Sequence, residues 1–188
     1  PLRARTGRTR LSTERELRAL LEERIVVLDG SWGVLIQREV RGEEAYRGDR
    51  FRDHPRDGAG VPDPLTLTRP EVVLGIHRDY FAAGADVATT NTFTATSIGQ
   101  ADYGLEAYAA EMAYEGARLA RVAADELDRP ARVAGSIGPL NVSLSVSPRV
   151  DDPAYRSATF AGVYDAYAEQ IRALVEGGAD ILMIETIF

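Results

Sequence analysis

The sequence predicts an α/β protein made of the first four βα units of a (βα)8 TIM barrel, an incomplete barrel. Three observations carry that prediction. The apolar run Ile181-Leu182-Met183-Ile184 reads as a strand buried on both faces, as in parallel sheets covered by helices, and Glu185 follows at its carboxyl end. The same pattern occurs 94 residues earlier, where Gly84-Ala85-Asp86, a short strand and Asn91-Thr92 align with Gly178-Ala179-Asp180, a strand and Glu185-Thr186. Between and before these copies, strand-like and helix-like segments alternate, which favours a parallel sheet with right-handed crossovers.

In chain order, residues 1–12 read as a disordered or linker lead-in, with four Arg and no acid in the first ten. Residues 13–188 read as one domain. Thr13-Glu14-Arg15-Glu16 has the spacing of a capping box and opens a helix to about Glu23. Arg24 to Leu28 is the first strand, ending in Asp29-Gly30. Residues 38–66 form a polar excursion rich in Gly, Arg, Asp and Pro, long enough to suggest a functional loop. Thr68-Arg69-Pro70-Glu71 reads as a second capping box, with Pro early in a helix reaching about Ala83. The second strand is 87–90, followed by an Ala-rich helix from Leu105 to Leu127 and a third strand at 132–136. A helix over 157–176 carries Phe160, Val163, Tyr164, Tyr167, Ile171 and Leu174 on one face. The fourth strand is 181–184.

An open doubly wound sheet is the alternative architecture. It would usually announce a nucleotide with Gly-x-Gly-x-x-Gly after the first strand, whereas Asp29-Gly30-Ser31-Trp32-Gly33 stands there. Polar residues at four strand ends favour the barrel, but 188 residues fall short of the roughly 250 of a complete one. A buried strand so near the end of the chain is therefore expected to mark a truncation, leaving two open sheet edges that make the isolated chain self-associate.

Composition narrows the chemistry. A net charge of −7 argues against nucleic acid as partner. No apolar run approaches the roughly 20 residues of a membrane span, and a cytoplasmic location is expected. Without cysteine the 188 residues offer no thiolate metal site, and the only two histidines, His54 and His77, are too far apart in sequence to suggest a metal pair. Asp29 and Glu185 at strand ends suit an ammonium group, and backbone N–H groups beside Gly30 suit a carboxylate, so an amino acid is the natural ligand class. Helix caps at Asp29 and Asn91 and plain turns at Gly135 and Gly138 are the structural alternatives. Tyr103, Tyr108 and Tyr114 read as helix packing, and Glu106, Glu111 and Glu115 with Arg118 and Arg121 as a solvated helix face.

The segments Leu28-Asp29-Gly30-Ser31-Trp32-Gly33, Arg47-Gly48-Asp49-Arg50-Phe51 and Leu67-Thr68-Arg69-Pro70-Glu71-Val72 resemble the homocysteine-binding domain of cobalamin-dependent methionine synthase. So do Gly84-Ala85-Asp86, Thr90-Asn91-Thr92-Phe93, Ala101-Asp102-Tyr103, Gly135-Ser136-Ile137-Gly138-Pro139-Leu140-Asn141 and Ile184-Glu185-Thr186, the whole covering residues 16–188. The resemblance implies a zinc-dependent homocysteine S-methyltransferase. The zinc, held by cysteines of the barrel's second half, lowers the pKa of the homocysteine thiol, and a methylcobalamin-carrying domain supplies the methyl group. It further implies that Asp29 and Glu185 bind the ammonium, that Gly30 and Ser31 bind the carboxylate through backbone N–H groups, and that Asn91 and Phe93 line the pocket. This half alone would be inactive. Ser31, Trp32, Val34, Leu140 and Val142 depart from the family pattern, and Trp32 is expected to narrow the pocket. A non-catalytic amino-acid-binding module and a metal-free enzyme using Asp29 and Glu185 as acid and base are the competing readings.

Overall fold

A computed structural model describes residues 10–187, so most of the expected lead-in lies outside the described residues. The elements are α1 (Arg10–Glu23), α2 (Gly33–Glu39), α3 (Glu43–Arg47), α4 (Leu65–Thr68), α5 (Pro70–Ala82), β1 (Val87–Thr89), α6 (Ser97–Gln100), α7 (Ala109–Asp125), β2 (Arg132–Ile137), α8 (Phe160–Gly177) and β3 (Ile181–Ile184).

The three strands form one parallel sheet in chain order, β1-β2-β3. A doubly wound sheet reverses its order at a switch point, whereas a barrel adds each strand beside the last. With the Leu28 segment beside β1, four successive segments lie side by side in chain order, as in a barrel and unlike the common doubly wound orders. Expectation gave four strands; the segment at 24–28 instead makes a single parallel bridge, Leu28 with Val87, beside β1. Among the described residues it pairs with one neighbour and none on its far side, and Ile25, Val27 and Leu28 stay at 85%, 50% and 45% exposure.

β3 departs in a related way. It alternates half-buried and exposed residues rather than burying both faces, with Leu182 at 41% and Ile184 at 71% exposure. These two are in register with Gly135 and Ile137, whose face of β2 packs on α8 through Leu174. Among the described residues no helix reaches far enough to cover the β3 part of that face.

The three crossover helices explain the buried part. α7 is small-residue rich, so Ala113, Ala117, Ala120 and Ala124 let it lie close against β2, α5 and α8. α8 begins at a Thr159 cap, whose hydroxyl accepts the Gly162 N–H. Its buried positions are Ala166, Gln170, Ala173, Leu174 and Gly177; Phe160 and Tyr164, expected on the packed face, point to solvent.

Neither Thr13 nor Thr68 stands at the N-cap of its helix. Thr13 lies inside α1, and α5 starts at Pro70 after Arg69 with no side-chain cap, while the Thr68 hydroxyl is buried without a partner. The helix expected from Leu105 begins as a 3-10 turn and becomes α-helical only at Ala109. The solvated face expected on α7 is also partly enlisted. Arg50 makes two bonds to Glu111 (2.8 and 2.6 Å), and Arg121 reaches across to the Asp180 carboxylate.

The internal repeat holds at the level of individual hydrogen bonds. Gly84 and Gly178 both sit at φ +106, the left-handed region that ends a helix without a Cβ penalty. The next residue in each, Ala85 or Ala179, donates back to Tyr80 or Leu174. Asp86 then accepts the Val27 N–H and pairs with Arg24, while Asp180 accepts the Val133 N–H and pairs with Arg121. Each aspartate thus fixes the start of its own strand against the preceding one. The Arg24 guanidinium is the main cause holding the Asp86 carboxyl down to about 2.

Candidate functional site

Because the strands are parallel, the residues after each share one rim of the sheet, the rim where such folds assemble ligand sites. Asp29, Asn91 and Glu185 all lie there.

Asp29 follows the Leu28 bridge, and its carboxylate accepts the Thr89 N–H and the Thr89 hydroxyl, both at 2.8 Å. It therefore locks the turn to β1 rather than capping a helix. Burial raises its pKa; the two Thr89 bonds oppose that shift without cancelling it. Gly30 and Ser31 follow under the Tyr80 ring. The Tyr80 hydroxyl donates to the Ser31 carbonyl at 2.7 Å, and a Cβ on Gly30 would come within 3.1 Å of it. Trp32 packs edge-on against His77 of α5, ring centres 4.7 Å apart, and stays close enough to the Asp29 carboxylate to oppose the rise in its pKa. His77 is fully buried with neither ring nitrogen paired, and burial lowers its pKa to about 3; it is a neutral core imidazole.

Asn91 is buried and donates to the Pro62 carbonyl at 2.7 Å, tying the rim to the polar excursion. Phe93 is half-buried; its carbonyl accepts the Gly138 N–H, and a Cβ on Gly138 would lie 2.5 Å from that oxygen and 2.7 Å from the ring. Glycine at 138 is thus required by close approach, not by a tight turn. Glu185 accepts the Ser136 hydroxyl at 2.6 Å and its backbone continues the pairing to Ile137. Thr186 beside it has φ +60, a strained value for a β-branched residue.

Hydroxyls join these residues across the rim. The Thr90 hydroxyl accepts the Ser136 N–H, the Thr92 hydroxyl donates to the Ser136 carbonyl, and Ser136 in turn donates to Glu185. Asp29 stands at one side of the sheet and Glu185 at the other, with no hydrogen bond joining them among the described residues.

Sequence reasoning did not find Asp63. It sits within the excursion, is wholly buried, and accepts the Thr94 N–H and the Thr94 hydroxyl, both at 2.8 Å. Burial drives its pKa up to about 6 against those bonds. The contact depends on a fold-back of 31 residues, which no local pattern announces. A cleft of about 330 Å³ opens beside it, walled by Val61, Pro62, Thr94, Tyr103, Pro139 and Leu140. A larger hollow of about 570 Å³ lies wholly on the excursion and α5 start, between Glu43, Arg52 and Arg69.

No group of three or more His, Cys, Asp or Glu that suits a metal occurs among the described residues, and the chain has no cysteine. The residues present do not fit a thiolate zinc site. No described helix is long and apolar enough to cross a membrane.

The chain can be compared with known proteins on this basis. It is similar to the homocysteine methyltransferase MmuM from Escherichia coli in its metallated form, with 25% identity, a TM-score of 0.65, and coverage of 91% of this chain and 57% of that one. The oxidized form of the same enzyme matches at 26% identity with a TM-score of 0.61, covering 88% of this chain and 55% of that one. This chain therefore spans a little over half the length of the structures it matches. A profile of the homocysteine S-methyltransferase family matches residues 26–188, and the chain belongs to that family.

Proposed function

We propose that this chain is the amino-terminal, homocysteine-binding part of a zinc-dependent methyltransferase of the methionine synthase type, comprising the first four βα units of its barrel. Asp29 and Glu185 hold the homocysteine ammonium, backbone N–H groups at Gly30 and Ser31 hold its carboxylate, and Asn91 and Phe93 wall the pocket. The observation that carries this is the Asp29 carboxylate itself. It is partly buried at the sheet rim, its pKa is raised by burial, and no cation is among the groups acting on it. A ligand ammonium would supply the missing positive charge.

Thiol activation needs groups that these residues do not provide, so no step of it is derived from them. Zinc, when bound by cysteines elsewhere in the polypeptide, would supply a thiolate nucleophile, and a cobalamin-carrying domain the methyl group. This chain's own residues bind and orient the amino-acid end. By itself it is inactive, and its exposed Ile25, Leu182 and Ile184 drive self-association.

Calorimetry with homocysteine and with 4-mercaptobutyrate, which lacks only the amino group, tests the reading. Homocysteine binds in the millimolar range and 4-mercaptobutyrate at least about tenfold more weakly, as the loss of charge-assisted bonds demands. Equal binding of the two would remove the ammonium role of Asp29 and Glu185. Light scattering that shows a monodisperse monomer would remove the self-association.

A further inference from the structure

The excursion and the strand rim meet through two separate ties. Asp63 grips Thr94 by its N–H and its hydroxyl, and Asn91 grips the Pro62 carbonyl. Between the two gripped rim residues lies Phe93, whose ring rests against Gly138. The Asp63–Thr94 tie is reinforced at both ends. Thr66 donates twice to the Asp63 carbonyl, and Gln100 donates to the Thr94 carbonyl and hydroxyl from the opposite side. Glu43 holds the lead of the excursion by accepting the Gly58 and Ala59 N–H groups.

We propose that Asp63 is a positioning residue of the homocysteine site, holding the 91–94 loop, and with it Phe93 and Asn91, in place through its paired bonds to Thr94. The proposal rests on the homocysteine reading of the rim. A neutral Asn would satisfy much of the same geometry, since an amide can accept from the Thr94 N–H and donate to its hydroxyl. A carboxylate buried with no cation acting on it is the costlier choice, and such costs concentrate where function requires them. The groups meeting it are the two Thr94 donors; no charged side chain from the excursion, α4 or the 94–100 segment acts on it among the described residues. Its ionised form accepts both donors. On protonation, near pH 6, one oxygen becomes a donor and the grip on Thr94 weakens.

The test measures homocysteine affinity by calorimetry from pH 5 to 8 on this chain, Asp63→Ala and Asp63→Asn, alongside hydrogen exchange of the 91–94 amides. The wild type loses affinity as pH falls through about 6. Asp63→Ala binds at least about tenfold more weakly at pH 7.5, the loss expected from two bonds to a charged acceptor. Asp63→Asn falls between them and shows no break near pH 6 beyond that due to other groups. A merely structural residue would change melting without removing that break. Wild-type affinity in Asp63→Ala, or an unchanged pH profile in Asp63→Asn, overturns the proposal. If the wild type fails to bind homocysteine, the substrate reading fails, and the exchange arm decides the positioning alone. Faster exchange at Thr94 in Asp63→Ala upholds it, and unchanged exchange overturns it.

Discussion

The two rims of the sheet are built from similar residue types and follow different rules. At the amino-terminal rim the same device appears twice, as Gly-Ala-Asp turns whose aspartates each close a strand and take an arginine partner. At the carboxyl-terminal rim the repeat breaks down. Asn91 and Glu185 occupy equivalent places, yet one ties down a loop and the other accepts a serine hydroxyl. Pairing each carboxylate with a guanidinium is the economical solution for stability, and the lower rim uses it. On the upper rim Asp29, and in the excursion that meets this rim Asp63, are held only by neutral donors, with pKa values raised by burial. The difference separates carboxylates neutralised by a guanidinium from carboxylates held by neutral donors alone.

Substitution at the lower rim has the largest expected effect on stability. Asp86→Ala strips the acceptor from Val27 and removes the carboxylate partner of Arg24, costing about 1–3 kcal/mol in denaturant unfolding. A loss below about 1 kcal/mol would contradict the structural role.

Acidification divides the rims by sign. Asp86 is depressed to about 2, so the stability it confers is complete above its unfolded pKa near 4 and disappears as pH falls towards 2. Asp63 is raised to about 6, so the folded state takes up its proton first, and stability rises as pH falls from about 6 to about 4. That gain amounts to about 3 kcal/mol, and Asp63→Asn removes it. Unfolding curves of the two proteins at pH 4, 6 and 7.5 measure the difference; parallel pH profiles would refute it.

Gly138→Ala brings a Cβ against Phe93, overpacking the upper rim by about 1–3 kcal/mol and weakening homocysteine binding in the same variant. Melting without any loss of affinity would place Phe93 outside the pocket. Ser136→Ala removes the donor to Glu185 and is expected to change affinity about threefold to tenfold by calorimetry. The smallest effect belongs to Tyr80→Phe, which frees the Ser31 carbonyl at about 1 kcal/mol or less.

Much of this contrast could be read from residue order. Gly-Ala-Asp recurs because only glycine ends a helix cheaply at φ +106, and that local requirement leaves a local mark. The order of β1, β2 and β3 followed from the alternation of strands and helices. Other features escaped because partners distant in sequence decide them. Asp63 meets Thr94 only through the fold of the excursion, and Arg121 reaches beyond its own helix to Asp180. The Thr68 capping box failed because α4 claims that residue as its last turn. Ile184 looked buried because an apolar run cannot reveal which of its faces has a neighbour.

The role proposed for Glu185, a carboxylate that takes the homocysteine ammonium, is tested by titrating homocysteine into Glu185→Gln. The substitution keeps the size of the side chain and an acceptor for Ser136 but removes the charge. Affinity falls at least about tenfold below wild type, the value of one charge-assisted bond. Homocysteine affinity equal to wild type in Glu185→Gln would contradict that role.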